Sequence, residues 1–187
     1  MLHFFVGPSG CGKTTLMHSL RDRFGWRIVQ TYTTRPAREN DDKVSVSPEV
    51  FARMALDERM FTVKHLFGEM YGEDRRSILD AISARSSDRW CLDLAVGEIA
   101  KYSAYNTLKF ILLPESLDQL VAQLEAAGRK ERVEGAKADL EKYTQLSNSV
   151  QGENGYVTIF NRHTRLNDSL ELIRKISSSF FNPTVEA

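Results

Sequence analysis

The sequence predicts an α/β domain: a mostly parallel sheet with helices on both faces. Short apolar runs of strand length alternate with segments of helical spacing, and a glycine-rich loop joins the first run to the first helix. No repeat, low-complexity tract or long linker interrupts the alternation. Strands that alternate with helices are joined by right-handed crossovers, which place helices on either side of the sheet.

Leu2–Val6 is an apolar run ended by Gly-Pro-Ser-Gly-Cys-Gly, and Lys13–Phe24 spaces Leu16, Leu20 and Phe24 as a helix does. A second strand is expected over 27–31, then a polar, turn-prone stretch over 33–43 and a helix over 48–56 with Pro48 in its first turn. Residues 61–67 read as extended, and Gly68 and Gly72 bracket a turn around Tyr71. A helix follows over 75–84, with Ile78 and Ile82 among its apolar positions. Buried strands are expected over 90–94, which carries the carboxylate of Asp93, and over 109–113. Helices over 115–127 and 135–146 flank the charged segment 128–132, and 157–160 gives a last strand before a helix over 166–179.

A chain of 187 residues fits one domain with a sizeable apolar centre. Lys and Arg total 25 and so do Asp and Glu, so no global field attracts nucleic acid or an anionic membrane. The expected partner is therefore a small molecule, with any anion bound by local basic groups. Cys11 and Cys91 form neither a disulfide framework nor a metal-type pair, which points to a reducing cytoplasm. The apolar start runs straight into Gly7, too short for a signal peptide or a membrane span.

Gly7-Pro8-Ser9-Gly10-Cys11-Gly12-Lys13-Thr14 satisfies G-x-x-x-x-G-K-[ST] between an expected strand and an expected helix. This is the phosphate loop of the P-loop NTPase fold. Glycines let the backbone curl round a polyphosphate, its N–H groups and the helix start supply positive potential, and Lys13 adds a formal charge. Gly7, Ser9, Gly10, Cys11, Gly12, Lys13, Thr14 and Thr15 are the candidate ATP-binding residues, and the Thr14 hydroxyl is the candidate ligand for Mg²⁺. Cys11 reads either as a small side chain at a variable loop position or as a thiol activated by the helix start. The first reading is the simpler.

Thr33-Thr34-Arg35-Pro36-Ala37-Arg38 resembles the T-T-R-x-P-R signature of guanylate kinases, with the proline displaced by one position. Val46 to Phe51, Met70-Tyr71-Gly72, Leu92 to Gly97 and Phe160-Asn161 are similar to further family motifs in the same order, so the resemblance spans nearly the whole chain. It implies a core over 1–31, 85–124 and 144–187, an acceptor-binding region over 32–84 and a lid over 125–143. It also implies ATP and Mg²⁺ as cofactors and a phosphorylated acceptor, a nucleoside monophosphate such as GMP or dGMP. Two guanidinium groups in one turn-rich loop suit bidentate capture of a phosphate, so Arg35 and Arg38 are expected to hold the acceptor's phosphate. Tyr71 either donates its hydroxyl to that phosphate or packs. Asp93 is expected to orient Mg²⁺ through water or to hold Lys13, Asp41 stands where the family has a glutamate, and the lid contributes Arg129 and Arg132 beside Lys130.

Guanine recognition departs from the family pattern. Thr31 supplies the expected hydroxyl, but Thr62 stands at the base-binding glutamate and Glu73 at a Ser or Thr position. Glu73 or Glu69 is left to replace the acid from another direction. Ala95 replaces the second aspartate of the strand motif, and a shortened loop leaves Lys43 where an aromatic phosphate ligand aligns. Two further readings therefore stand beside a nucleoside-monophosphate kinase. One is a sugar-phosphate kinase resembling ribose bisphosphate phosphokinase, and the other is a catalytically inactive guanylate-kinase-like binding module.

Overall fold

A computed structural model describes residues 1–38, 41–66, 68–85, 87–150, 153, 155–162 and 165–181. The chain runs through β1 (Leu2–Val6), α1 (Lys13–Phe24), β2 (Arg27–Ile28), β3 (Thr31–Thr33), β4 (Lys43–Ser45), α2 (Pro48–Leu56), β5 (Met60–Leu66), β6 (Glu69–Asp74) and α3 (Arg75–Ser83). It continues with β7 (Trp90–Asp93), β8 (Thr107–Leu113), α4 (Leu117–Ala126), α5 (Val133–Ser149), β9 (Tyr156–Phe160) and α6 (Leu166–Phe181). Short 3-10 turns occupy Val96–Tyr102 and Lys130–Arg132.

Every residue of β1 is buried, the condition of a strand with neighbours on both edges and layers on both faces. It pairs in parallel with β7 on one side and β8 on the other, within a five-stranded parallel sheet ordered β2-β7-β1-β8-β9. Side chains alternate across the strand, so Phe5 enters a core layer with Leu16 and Leu20 of α1, Leu120 of α4 and Ile173 of α6. Phe4 and Val6 enter the opposite layer, with Ile78 of α3, Tyr102, and Leu140 of α5 at its margin. Among the described residues no helix is long and apolar enough to cross a membrane.

A second, mixed sheet of four strands is ordered β4-β3-β6-β5. Its strands β3 and β4 are parallel, and β6 runs antiparallel to both β3 and β5. Phe51 and Met54 of α2 pack with Met60 beside it. Three expectations change here. The strand expected over 27–31 divides between the two sheets: Val29 N–H still donates to Cys91 O at 2.9 Å, whereas Gln30 O accepts from Asp74 N–H at 2.8 Å. Tyr71 lies inside β6 rather than in a turn, and the reversal falls near Gly68, at φ 79°. Gly72 serves close packing, since a Cβ there would meet Met60 Sδ at 2.8 Å. The stretch read as turn over 33–43 also ends in β4, a three-residue strand too short to reveal a period.

His3 is polar at the centre of this core. Arg89 Nε donates to Ser177 Oγ at 3.0 Å, Ser177 Oγ lies 2.8 Å from His3 Nε2, and His3 Nδ1 lies 3.1 Å from Trp90 O. A neutral imidazole protonated on Nδ1 satisfies all three groups, accepting from Ser177 and donating to Trp90. Burial outweighs the bond to Trp90 O and pushes the His3 pKa from 6.5 down to about 3. Between those values the unfolded chain binds a proton that the folded chain excludes, so stability falls as pH is lowered through the window. The expected slope is up to ~1.4 kcal/mol per pH unit. Urea unfolding from pH 7 to pH 5 checks this: His3→Gln should flatten the parent's slope, and an unchanged slope would remove His3 from the account.

Candidate active site

The loop between β1 and α1 is shaped by the ends of two neighbouring strands. A Cβ on Gly7 would sit 2.3 Å from Leu112 O in β8. Gly12 has φ 89°, in the left-handed region, and a Cβ there would sit 2.5 Å from Asn161 Nδ2. Asn161, just after β9, donates through that same nitrogen to Cys11 O at 2.8 Å, which fixes the loop's crest. α1 starts at Gly12 with no side-chain cap and no acid in its first turn. Its orphan N–H groups thus remain available to an external anion.

Lys13 Nζ donates to Gly7 O at 2.9 Å and Pro8 O at 3.0 Å, and lies 3.9 Å from Asp93 Oδ1. Burial works against the Lys13 charge, while Cys11 and Asp93 support it, and on balance its pKa is raised. The Cys11 thiol behaves differently. It is buried beneath the loop and burial pushes its pKa up, so at neutral pH it stays protonated. The loop's chemistry at this position is therefore carried by backbone.

A cavity of about 600 Å³ opens beside the loop. Arg35 and Arg38 reach it from the segment after β3, Lys43 from β4, and Arg129 and Arg132 from the segment before α5. The backbone of Arg35 is held at both ends, its N–H by Thr33 Oγ1 at 3.1 Å and its carbonyl by Ser45 Oγ at 2.8 Å. Its Nη2 pairs with Asp41 Oδ2, and its Nε is buried with no hydrogen-bond partner among the described residues. Arg129 and Arg132 each place Nη1 near Ser9 Oγ, at 3.4 and 3.3 Å, so the segment before α5 meets the loop itself.

The cations crowd one another. Burial lowers the pKa of Arg38, with the charges of Arg35 and Arg132 adding to the effect. Burial likewise lowers that of Arg129, followed by Arg38, Arg132 and Arg35. Groups that repel across two segments form a natural seat for a multivalent anion. Lys43 stands at the boundary between this cluster and Lys13. Its Nζ lies 2.8 Å from Asp42 Oδ1 and 3.6 Å from Asp93 Oδ2, so Asp93 lies between two ammonium groups. Burial opposes the Lys43 charge, but Asp93 and Asp42 outweigh it and raise the pKa. Thr14 and Asp93 line the cavity near Lys13, and the described residues contain no denser group of metal-binding side chains. One hydroxyl and one carboxylate fit Mg²⁺, which retains waters and takes phosphate oxygens of its substrate.

No family model matches the chain, and no curated protein matches its sequence. Solved structures do match. A guanylate kinase from Anaplasma phagocytophilum superposes with TM-score 0.70 at 18% identity, over 98% of this chain and 87% of that one. A gluconokinase from Sinorhizobium meliloti 1021 superposes with TM-score 0.53 at 12% identity, over 96% and 94%. The protein has the P-loop NTPase fold.

The P-loop fold brings most of the residues nominated from sequence to the rim of this cavity. Gly7, Ser9, Gly10, Gly12, Thr14 and Thr15 line it from the loop, and Thr31, Tyr71 and Asp93 join the arginines around it. Glu73, nominated as an acceptor ligand, is instead fully buried and does not line the cavity, and the Cys11 side chain is buried beneath the loop. Lys64 and Asp42 were not singled out from sequence, and Asn161 was named only within the Phe160-Asn161 motif, without a role. Lys64 shares a face of β5 with Thr62 and Leu66, a period-2 signal legible once the strand is recognised.

Asn161→Ala should leave Cys11 O unpaired in a buried site, lowering unfolding free energy by ~1–3 kcal/mol. Amide exchange at residues 10–13 should rise with it. Unchanged exchange there would show that Asn161 does not fix the loop.

Proposed function

We propose that the protein transfers the γ-phosphoryl group of ATP to a small acceptor that already carries a phosphate. The observation that carries this reading is the convergence of Arg35, Arg38, Arg129 and Arg132 with Lys13 on one cavity beside an uncapped helix start. Loop amides and Lys13 hold the β- and γ-phosphates of the donor, and Arg35 and Arg38 hold the acceptor's phosphate in line with it. The segment 32–84 serves as the acceptor-binding region. The segment 125–143 serves as a lid whose Arg129 and Arg132 close on the donor and exclude water. The resemblance to guanylate kinases makes a nucleoside monophosphate the expected acceptor.

In the transfer, an acceptor phosphate oxygen forms a bond to the γ-phosphorus as the bond to the β-bridging oxygen breaks, and ADP departs with that electron pair. The attacking oxygen is already anionic, so no general base is needed. Thr14, with Asp93 acting through water, would hold Mg²⁺, which when bound neutralises charge on the phosphate oxygens. Arg129 and Arg132 meet charge that spreads over the equatorial oxygens. Lys43, paired with Asp42 and Asp93, steadies the carboxylate that it shares with Lys13.

ATP consumption against a panel of nucleoside monophosphates, deoxynucleotides and sugar phosphates tests the reading. Lys13→Ala should lower turnover by about 100-fold or more with every acceptor. Arg35→Ala should raise the acceptor KM about 10- to 100-fold and leave the KM for ATP unchanged. Parent-like acceptor kinetics in Arg35→Ala would remove it from the site, and no consumption with any acceptor would overturn the transfer.

A further inference from the structure

One face of the second sheet forms the far wall of the cavity, and its pairing register decides which groups present themselves there. Lys43, Thr31, Glu73 and Thr62 stand side by side across β4, β3, β6 and β5. Ser45, Thr33, Tyr71 and Lys64 form the adjoining row. Residues two apart on a strand share a face, so both rows look the same way.

Within this patch the carboxylate is consumed by its neighbours on the same face. Glu73 is fully buried, its Oε2 accepts from Thr62 Oγ1, and its Oε1 lies 2.6 Å from Lys64 Nζ. Lys64 itself lines the cavity, near Tyr71 and Thr31. An ammonium carries three protons in a flexible head, and one satisfies Glu73, so the group facing the ligand is a donor.

We infer that Lys64, oriented by Glu73, reads the far end of the acceptor and selects an oxygen that accepts a hydrogen bond over an edge of paired N–H donors. The inference rests on the phosphotransfer reading of the same cavity and narrows its acceptor. The guanine N1–H and N2–H₂ edge needs an anionic acceptor, but position 62 is a threonine and the buried carboxylate at 73 has both oxygens engaged by Thr62 and Lys64. A base carbonyl, as in uracil or cytosine, matches the donor, and so does an anionic oxygen on the second phosphate of a bisphosphorylated sugar. Both sources share one chemistry. The Thr62–Glu73–Lys64 group has no net charge, so it imposes direction on a ligand without requiring that the ligand be charged.

Calorimetric binding of UMP, CMP, GMP and ribose 1,5-bisphosphate, each also assayed with ATP for turnover, tests this. The ribose compound separates a phosphate oxygen from a carbonyl. Lys64→Met alone strands a buried carboxylate, so the informative variant is Lys64→Met with Glu73→Gln, which removes both charges together and keeps a partner for Thr62. The parent should bind at least one oxygen-bearing acceptor about 10- to 100-fold more tightly than GMP, and the double variant should lose that margin. Lys64→Arg should retain most of it, and ATP affinity should not change in any variant. Tighter binding of GMP, or a margin that persists in the double variant, overturns the inference. Absence of turnover alongside the expected binding margin would overturn the transfer and leave Lys64 as the selecting group.

Discussion

Positive charges that repel one another are held together around one cavity, and the rest of the site follows from that constraint. Burial, with the charges of Arg35 and Arg132 adding to it, lowers the proton affinity of Arg38 and Arg129, which lie on two segments of chain. Asp41, Asp42 and Asp93 offset the strain at its edges, each paired to a cation of the same cavity. A solvent would have to reorganise to stabilise a moving phosphoryl group, whereas fixed cations need not. The cost of assembling them is met by folding, and in the proposed transfer it would be recovered on binding phosphates.

The parallel sheet makes the assembly possible because its strands end on one side. β1 leads into the phosphate loop, β7 ends in Asp93, β8 supplies the carbonyl at Leu112 that excludes a side chain from Gly7, and β9 is followed by Asn161. Ligand sites of open α/β sheets lie beyond the carboxyl ends of the strands for this reason. The second sheet has another task. Its mixed pairing turns one polar face toward the cavity, with a buried acid steering a lysine that lines it.

The core sheet was legible because its strands are short apolar runs and its helices keep a clear period. β1, β7, β8 and β9 fall where apolar runs are expected, and the loop motif locates one end of the cavity. The second sheet was not legible in the same way. β3 and β4 have three residues each and mix polar with apolar groups, and β6 contains a glycine that reads as a turn in isolation. The positions of Lys64 and Glu73 depend on strand register, a non-local property. A carboxylate on β6 and a hydroxyl on β5 become partners only when the two strands pair as they do, so the family resemblance put Glu73 forward as an acceptor ligand and gave no reason to name Lys64.

The central claim is that this cationic cavity grips a nucleoside triphosphate at the 7–15 loop. Calorimetric titration with a non-hydrolysable ATP analogue and Mg²⁺, over a range of salt concentrations, measures it most directly. The account predicts saturable binding at one site that weakens as salt rises and is sharply reduced when the charge at position 13 is removed. Heat that never saturates, or affinity indifferent to both salt and Lys13, would contradict it.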